Sequence, residues 1–182
     1  NLLTRRYYIQ KISEGTCMRY GQIRQYDIAN GEGIRTSIFV TGCTHCCYNC
    51  FNKEYQDFNA GSEWTDKETE LIVSYVQNPN CAGLTLLGGE PFQNVEGLLP
   101  VVAAVRLAAP NKKIWAYSGY TWDDIVSDPI RLSLLKQVDI LVDGRFVEEL
   151  KDPSLRFRGS SNQRIIDVKS SLTADEVILA MD

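Results

Sequence analysis

The sequence predicts an α/β fold built around a parallel sheet. Short β-branched and apolar runs alternate with longer segments whose apolar residues recur at helical spacing. This alternation of strands and helices favours right-handed βαβ units, which place parallel strands side by side. The chain has 182 residues, which suits a single domain with one sizeable core.

The predicted elements follow one another in a regular order. Ile34–Val40 is rich in β-branched residues and predicts a strand, and a helix begins at Thr65 with Glu68 as its capping-box partner. The later elements are a strand at 83–87, a helix at 95–109, a strand at 114–118, helical segments at 122–126 and 129–136, strands at 138–142 and 164–168, and a terminal helix at 173–180. Residues 1–17 are predicted to be an N-terminal extension that need not be native, because Met18 is an alternative start; residues 18–182 would form the domain.

Composition and charge argue against several classes of function. The net charge of −4 disfavours direct binding to a nucleic-acid backbone. No apolar run approaches the roughly 20 residues of a membrane span, and the N-terminus lacks the apolar region of a secretory signal. We therefore expect a cytoplasmic protein with no nucleic-acid or membrane partner.

The cysteines are concentrated in one loop. Of the six cysteines, Cys43, Cys46, Cys47 and Cys50 lie close together, and clustered thiols in a reducing cytosol indicate metal or redox ligands. Cys43, Cys47 and Cys50 are spaced C-x3-C-x2-C. Three thiolates on one loop can bind three irons of a cubane cluster and leave the fourth iron open.

Two other interpretations of this loop stay open. Cys43/Cys46 and Cys47/Cys50 form two C-x2-C pairs that could bind zinc, although structural zinc usually joins pairs about 12–20 residues apart. A redox dithiol at Cys43 and Cys46 is the second alternative. The triad does not require Cys46, and His45, the only histidine, is interpreted as a loop residue rather than a ligand.

A glycine turn, Gly88-Gly89-Glu90-Pro91, ends the predicted strand at 83–87. Glycines there let the backbone approach a ligand closely, because no Cβ intervenes; the alternative is a tight strand–helix turn. This turn, the cysteine loop and the segments at 118–122 and 143–146 all follow predicted strands. Because ligands gather at the carboxyl ends of parallel strands, the sequence predicts one composite site.

The cysteine triad and the Gly88–Glu90 turn together resemble the radical S-adenosylmethionine (SAM) superfamily. The resemblance implies a partial, open TIM-like (β/α) barrel with parallel strands. It implies a [4Fe–4S] cluster on Cys43, Cys47 and Cys50, whose open iron chelates the amino and carboxylate groups of SAM. The implied activity is that of an oxidoreductase that reductively cleaves SAM, giving methionine and a 5′-deoxyadenosyl radical.

The resemblance also implies roles for residues beyond the cluster ligands. The Gly88–Glu90 segment would hold the SAM amino group, and the neighbours of the last cysteine would lie near the adenosine. Many radical SAM enzymes have an aromatic residue where this chain has Asn49, and Tyr48 or Phe51 could take its place. The predicted cofactor-binding residues are Asn49, Cys50, Phe51, Gly88, Gly89, Glu90, Ser118 and Asp143; for Ser118 and Asp143 the alternatives are a turn and a cap.

Further segments resemble the activating proteins of the anaerobic (class III) ribonucleoside-triphosphate reductase. These segments are residues 30–36, 40–43, 50–52, 117–122, 139–146 and 152–164, and the resemblance covers Met18 to Val168. It implies that the radical abstracts a hydrogen from a glycine near the C-terminus of the reductase, which leaves a stable glycyl radical. The implied partners are the reductase, as protein substrate, and a low-potential electron donor such as flavodoxin.

Two alternative functions stay open. One is an activase of another glycyl-radical enzyme, such as pyruvate formate-lyase; those chains are usually longer and lack the Arg158–Arg164 segment. The other is a zinc-binding interaction module, which gives no reason for the Gly88–Glu90 turn at a strand end. The residue types of Arg158–Arg164 indicate no chemical role by themselves. The polar, Gly- and Ser-rich composition of the segment fits a loop that contacts SAM or the reductase, and the alternative is a structured turn before the last strand.

Overall fold

The computed structural model describes residues 18–181, which form an eight-stranded sheet with helices packed against it. The strands are β1 (Arg19–Asp27), β2 (Arg35–Val40), β3 (Ser62–Glu63), β4 (Gly83–Gly88), β5 (Lys113–Tyr117), β6 (Ile140–Asp143), β7 (Arg164–Asp167) and β8 (Leu179–Met181). The α-helices are α1 (Asp66–Val76), α2 (Val95–Ala108), α3 (Trp122–Val126), α4 (Pro129–Leu135) and α5 (Val168–Ala174). The predicted extension at residues 1–17 lies outside the described residues.

The sheet is open and mixed. Its strand order is β3-β1-β2-β4-β5-β6-β7-β8, and the four central strands β2, β4, β5 and β6 are parallel. β1 and β3 on one side, and β7 and β8 on the other, join in antiparallel pairs. The predictions of an α/β class and of an open sheet are confirmed, whereas the prediction of a purely parallel sheet is wrong. Between β6 and β7 the chain makes only a short 3-10 helix, Glu148–Leu150, and β7 returns antiparallel without a crossover helix.

Several helices begin at residues whose side chains cap them, and the cap predicted at Thr65 is confirmed. Thr65 and Glu68 form the predicted capping box of α1, and Thr121 and Asp124 form a second one at α3. Asp128 caps α4 by accepting hydrogen bonds from two backbone N–H groups. Among residues 18–181 no helix combines the length and apolar character needed to cross a membrane.

The two faces of the sheet bury different clusters, because side chains alternate along each strand. On one face, residues such as Leu84, Ile114 and Leu141 pack with the helices in the main core. On the other face, a smaller cluster consists of Trp115, Ile140, Val142 and Ile165. We call this second side the cavity face, because a large cavity opens on it.

At the amino ends of the parallel strands, Arg35 fills the cavity face. Its buried guanidinium donates to the carbonyl of Leu84 at 2.8 Å and to that of Lys113 at 2.7 Å, and Nε donates to Thr85 Oγ1 at 2.7 Å. The side chain therefore ties together the starts of β2, β4 and β5. Burial lowers the pKa of Arg35 to about 10. This value is still well above 7, so the guanidinium is charged at neutral pH.

The C-terminal elements differ from the prediction. The prediction of a helix at 173–180 is wrong. Helix α5 begins earlier, at Val168, where the side chain of Asp167 accepts a hydrogen bond from the Ser170 N–H. It ends before Asp175, whose φ of 56° is left-handed. The following residues pair with β7 as β8. β1 was not predicted, because polar residues interrupt its apolar pattern.

We expect Arg35→Met to lower the free energy of unfolding by about 3 kcal/mol, because it removes charged donors and leaves buried carbonyls unpaired. Urea denaturation of the cluster-free protein, followed by circular dichroism, measures the change. Lys136→Met is the control, since Lys136 is exposed and its replacement should change stability by less than about 0.5 kcal/mol. Equal losses in both variants would contradict this role of Arg35.

Candidate iron–sulfur site

A cavity of about 490 Å³ lies on the cavity face, where the parallel strands end. Its floor includes Phe39 of β2, Leu87 of β4 and Tyr117 of β5. Most of the predicted site residues meet there. Those that line the cavity are Cys43, Cys47, Cys50, Phe51, Gly88, Gly89, Glu90 and Ser118. Asn49 and Asp143 do not line it.

The cysteine loop is held at both ends by backbone hydrogen bonds. The N–H of Gly42 donates to the Tyr55 carbonyl, and that of Cys43 donates to the Gln56 carbonyl, both at 2.9 Å. The N–H of Thr44 donates to Oε1 of Gln93, a residue that follows the glycine turn. The loop thus closes on itself and is anchored to the end of β4.

Within the loop, two residues adopt left-handed backbone conformations. Cys46 has φ of 50° and Asn49 has φ of 53°; both are exposed. Cys43, Cys47 and Cys50 are half-buried and face the cavity instead. Asn tolerates a left-handed conformation better than other residues with a Cβ, which gives a structural reason for Asn rather than an aromatic residue at position 49.

Burial shapes the chemistry of the thiols. It raises the pKa of Cys43 to about 11, and burial together with the neighbouring Cys50 raises the pKa of Cys47. Both groups are therefore protonated at neutral pH when no metal is bound. A metal ligand must be a thiolate, so loading the site releases protons.

Three thiols on one wall of one cavity fit the ligand set of a cubane cluster with one open iron. Among residues 18–181, no three His, Cys, Asp or Glu side chains are grouped so that they could hold a single metal ion. A cubane does not need such a group, because each thiolate binds a different iron.

Glu90 is the most heavily bonded side chain of the site, and its carboxylate is buried. Oε2 accepts from His45 Nε2 at 3.0 Å and from the Gly119 N–H at 2.7 Å. Oε1 accepts from Ser118 Oγ at 2.9 Å and from the Phe92 N–H at 3.0 Å. A carboxylate can only accept from these donors, so Nε2 of His45 carries a proton. The carboxylate thereby joins the cysteine loop, its own turn and the segment after β5.

The glycines of the site permit close packing between these segments. A Cβ on Gly89 would lie 2.6 Å from the Gly42 carbonyl oxygen, and one on Gly119 would lie 2.4 Å from His45 Cδ2. At both positions the close neighbour is the cysteine loop. The sequence predicted the glycine turn but not this reason for it. The pairing of His45 with Glu90 was not predicted, because the two residues are 45 positions apart in the sequence and no local pattern connects them.

Asp143 has a different position from the one expected. Its buried carboxylate accepts from the Trp122 N–H at 2.7 Å and from Arg164 Nε at 3.0 Å. It therefore holds the start of α3 and the start of β7 beside the end of β6. This arrangement matches the cap that was the alternative interpretation.

The second wall of the cavity comes from the long connection between β6 and β7, which contains most of the predicted site segment 143–146 and most of the Arg158–Arg164 segment. Phe146 packs against Phe51 with ring centres 4.9 Å apart, and Gly159 lies against both rings. Phe157 and Arg158 continue this wall. Sequence reasoning assigned the segment 143–146 to the composite site but did not predict the contact between Phe146 and Phe51.

The site is that of an iron–sulfur protein by comparison with known families. Residues 29–166 match the family described as a 4Fe-4S single cluster domain, a range that includes the cysteine loop and both walls of the cavity. The four central parallel strands also lie within it.

Individual relatives identify the family of this chain more specifically. The chain is 41% identical over 152 residues to the anaerobic ribonucleoside-triphosphate reductase-activating protein of Haemophilus influenzae, covering 81% of this chain and 97% of that protein. It is 39% identical to the protein of the same name from Escherichia coli, over 80% of this chain and 96% of that one. The Enterobacteria phage T4 protein of that name is 37% identical, over 81% and 93%. The chain belongs to the family of anaerobic ribonucleoside-triphosphate reductase-activating proteins, as its sequence motifs predict.

We expect Glu90→Gln to lower the free energy of unfolding of the cluster-free protein by about 2–4 kcal/mol. Whichever carboxylate oxygen becomes an amide nitrogen, a buried backbone N–H, that of Phe92 or that of Gly119, faces another donor and loses its partner. The measurement is urea denaturation. Glu96→Gln is the matched control, because Glu96 is exposed on α2 and should change stability by less than about 0.5 kcal/mol. A Glu90→Gln variant as stable as this control would show that the network does not hold the site.

Proposed function

We propose that this protein is a radical SAM activase of the anaerobic ribonucleoside-triphosphate reductase. Cys43, Cys47 and Cys50 would hold a [4Fe–4S] cluster, and the Gly88–Glu90 turn would hold SAM beside it. The observation that carries the proposal is that these three thiols and this turn line the same cavity. When bound, the cluster supplies the electron for reductive cleavage of SAM, whose radical product takes a hydrogen from a glycine of the reductase.

The open sheet supports a protein substrate. Strands β2, β4, β5 and β6 lie in consecutive order and run parallel, as in a (β/α) barrel, and we propose that they are a partial TIM-like barrel of the radical SAM type. A closed barrel would enclose the cavity. A sheet with two free edges leaves a side through which a loop of the reductase can reach the cluster.

Some of the site residues would contact SAM, and others would position those that do. Phe51 lines the cavity and could pack on the adenosine, whereas Asn49 does not line it. The backbone of the glycine turn can approach the amino group. Glu90 and Ser118 are bonded to each other, and we assign them to positioning the loop and the turn. Asp143 would act indirectly, by fixing the end of β6 next to the starts of α3 and β7.

The partners follow from the same chemistry. Reductive cleavage needs one electron for each SAM molecule cleaved, and we propose that a low-potential donor such as flavodoxin supplies it. The exposed outer side of the cysteine loop gives such a donor access. We propose that both partners meet this protein in the cytoplasm.

The decisive experiment is anaerobic reconstitution with iron and sulfide, followed by mixing with SAM, a reductant and an anaerobic ribonucleoside-triphosphate reductase. We expect a glycyl-radical doublet in the EPR spectrum of the reductase and the formation of 5′-deoxyadenosine. A doublet on pyruvate formate-lyase instead would select the alternative activase. A colourless protein that binds zinc and forms no deoxyadenosine would overturn the enzyme proposal.

Substitutions can distinguish the three proposed ligands from Cys46, the fourth cysteine of the loop. We expect Cys43→Ser, Cys47→Ser and Cys50→Ser each to abolish glycyl-radical formation and to lower iron content severalfold after reconstitution, because loss of one thiolate leaves a second iron of the cluster without its protein ligand. Cys46→Ser is the matched control and should keep both, since Cys46 is exposed outside the cavity. Iron and sulfide analysis with EPR measures the effect. Loss of the cluster in Cys46→Ser, with retention in any of the other three, would contradict the assignment.

A further inference from the structure

The phenol of Tyr117 is a buried donor without a partner in the protein. Its oxygen is buried and forms no hydrogen bond with any group among residues 18–181. Tyr117 is the last residue of β5 and lines the cavity. Burial raises the pKa of Tyr117 far above its usual value, so the phenol keeps its proton and can donate. Because buried polar groups in native proteins are nearly always paired, this donor is available to a group that enters the cavity.

The phenol lies on the side of the cavity that is remote from the cysteine loop. The charges that act on Tyr117 are those of Arg35 and Asp27. Asp27, the last residue of β1, lies opposite Arg35, the first residue of β2. The phenol is therefore directed toward the amino ends of the parallel strands, whereas the proposed SAM site lies at their carboxyl ends.

This side of the cavity forms a lobe next to Trp115, which we call the Tyr117 lobe; Asn30, Tyr117 and Phe157 line it. The connection between β1 and β2 reaches Trp115, since a Cβ on Gly31 would lie 3.0 Å from its Cδ2. The ring of Phe157 packs edge-on against that of Trp115, with ring centres 5.5 Å apart. Trp115 and Tyr117 are two residues apart on β5 and so lie on the same face of the sheet. The lobe is thus bounded by the β1–β2 connection and by the second wall of the cavity.

The buried charges near the phenol are satisfied within the protein. Arg35 donates to backbone carbonyls and to Thr85. The carboxylate of Asp27 accepts from the Ala29 N–H at 2.9 Å and from Nδ2 of Asn30 at 2.7 Å. One cation and one anion, each with partners, require no counter-charge from a ligand. A neutral acceptor therefore suits the phenol better than an ion does.

Exposed apolar side chains lie next to the lobe. Ile28 directly precedes Ala29 and Asn30, two residues that line the cavity, and it is 76% exposed. Tyr26, two residues earlier, is 68% exposed. Large apolar side chains that are exposed together beside a cavity are typical of a protein–protein contact, whereas scattered single ones are not. This continuity with the lobe favours a protein segment over a small molecule as its ligand.

We propose that the phenol of Tyr117 donates a hydrogen bond to a backbone carbonyl of the reductase segment that carries the target glycine, and that this segment enters the lobe across Ile28. The proposal rests on the function proposed above. A glycine has no side chain, so the target residue can be held only through backbone groups. Each residue of an extended segment presents one carbonyl, and a carbonyl that is buried on binding needs a donor. A neutral phenol in a lobe without unmet charge supplies it.

The test uses the reconstituted full chain with SAM, a reductant and the anaerobic ribonucleoside-triphosphate reductase. We expect Tyr117→Phe to raise the KM for the reductase roughly three- to tenfold, as for one lost neutral hydrogen bond. It should also lower the number of glycyl radicals formed per 5′-deoxyadenosine, because a poorly held glycine meets the radical less often. SAM affinity, measured by anaerobic equilibrium dialysis, should change less than about twofold. EPR and chromatography measure the two products.

A second variant tests the path of entry. Ile28→Ser should also raise the KM for the reductase about three- to tenfold, because an apolar side chain no longer leaves water on binding. Leu107→Ser is the matched control: Leu107 is 82% exposed on α2, a helix that packs against the other face of the sheet. It should leave the KM for the reductase and the ratio of products unchanged.

The outcomes are distinguishable. Tyr117→Phe removes an unpaired buried hydroxyl, so the variant should melt at the temperature of the parent or higher. A lower melting temperature with an unchanged KM for the reductase would show that the phenol serves the fold alone and would overturn the proposal. An equal loss of SAM affinity would overturn it too, since the phenol would then bind SAM. If Tyr117→Phe fails to fold, an unchanged KM in Ile28→Ser overturns the entry path and with it the proposal. A parent protein that carries the cluster but yields neither deoxyadenosine nor a glycyl radical would instead refute the proposed function.

Discussion

The buried carboxylate of Glu90 is the interaction on which the site depends. Its four hydrogen bonds come from the cysteine loop, from its own turn and from the segment after β5. Burying a carboxylate is unfavourable unless such donors replace water, and here each oxygen receives two. Segments far apart in the sequence are thereby held at a fixed separation. Gly89 and Gly119 allow the approach, because any side chain there would push the cysteine loop away.

The same face of the sheet has opposite properties at its two ends. At the amino ends of the parallel strands, the buried charge of Arg35 is satisfied by backbone carbonyls and a threonine, and the space is filled. At the carboxyl ends, Nε of Arg158 and the phenol of Tyr117 have no hydrogen-bond partner among residues 18–181, and the space is open. A polar group with all its bonds made supports the fold, whereas one with bonds left over is available for binding.

Much of this arrangement could be predicted from local patterns. The cysteine spacing, the glycine turn and the capping boxes are short-range features, and parallel topology then brings the strand ends together. The partners of Glu90 could not be predicted, and for Asp143 a cap was only one of two interpretations, because a carboxylate at a strand end can face either the cavity or its neighbours and only tertiary contacts decide. The last helix was misplaced for a similar reason: Thr173 and Asp167 are both good caps, and pairing of the final residues with β7 favours the second.

The two walls of the cavity are built from different interactions. The wall of the cysteine loop is fixed by directional hydrogen bonds, which tolerate little displacement. The opposite wall meets it through the rings of Phe51 and Phe146 and the small Gly159, contacts that depend on shape and area rather than on direction. Substitutions on such a wall can therefore change the shape of the cavity while Cys43, Cys47 and Cys50 keep their positions, so the two walls can be altered independently of each other.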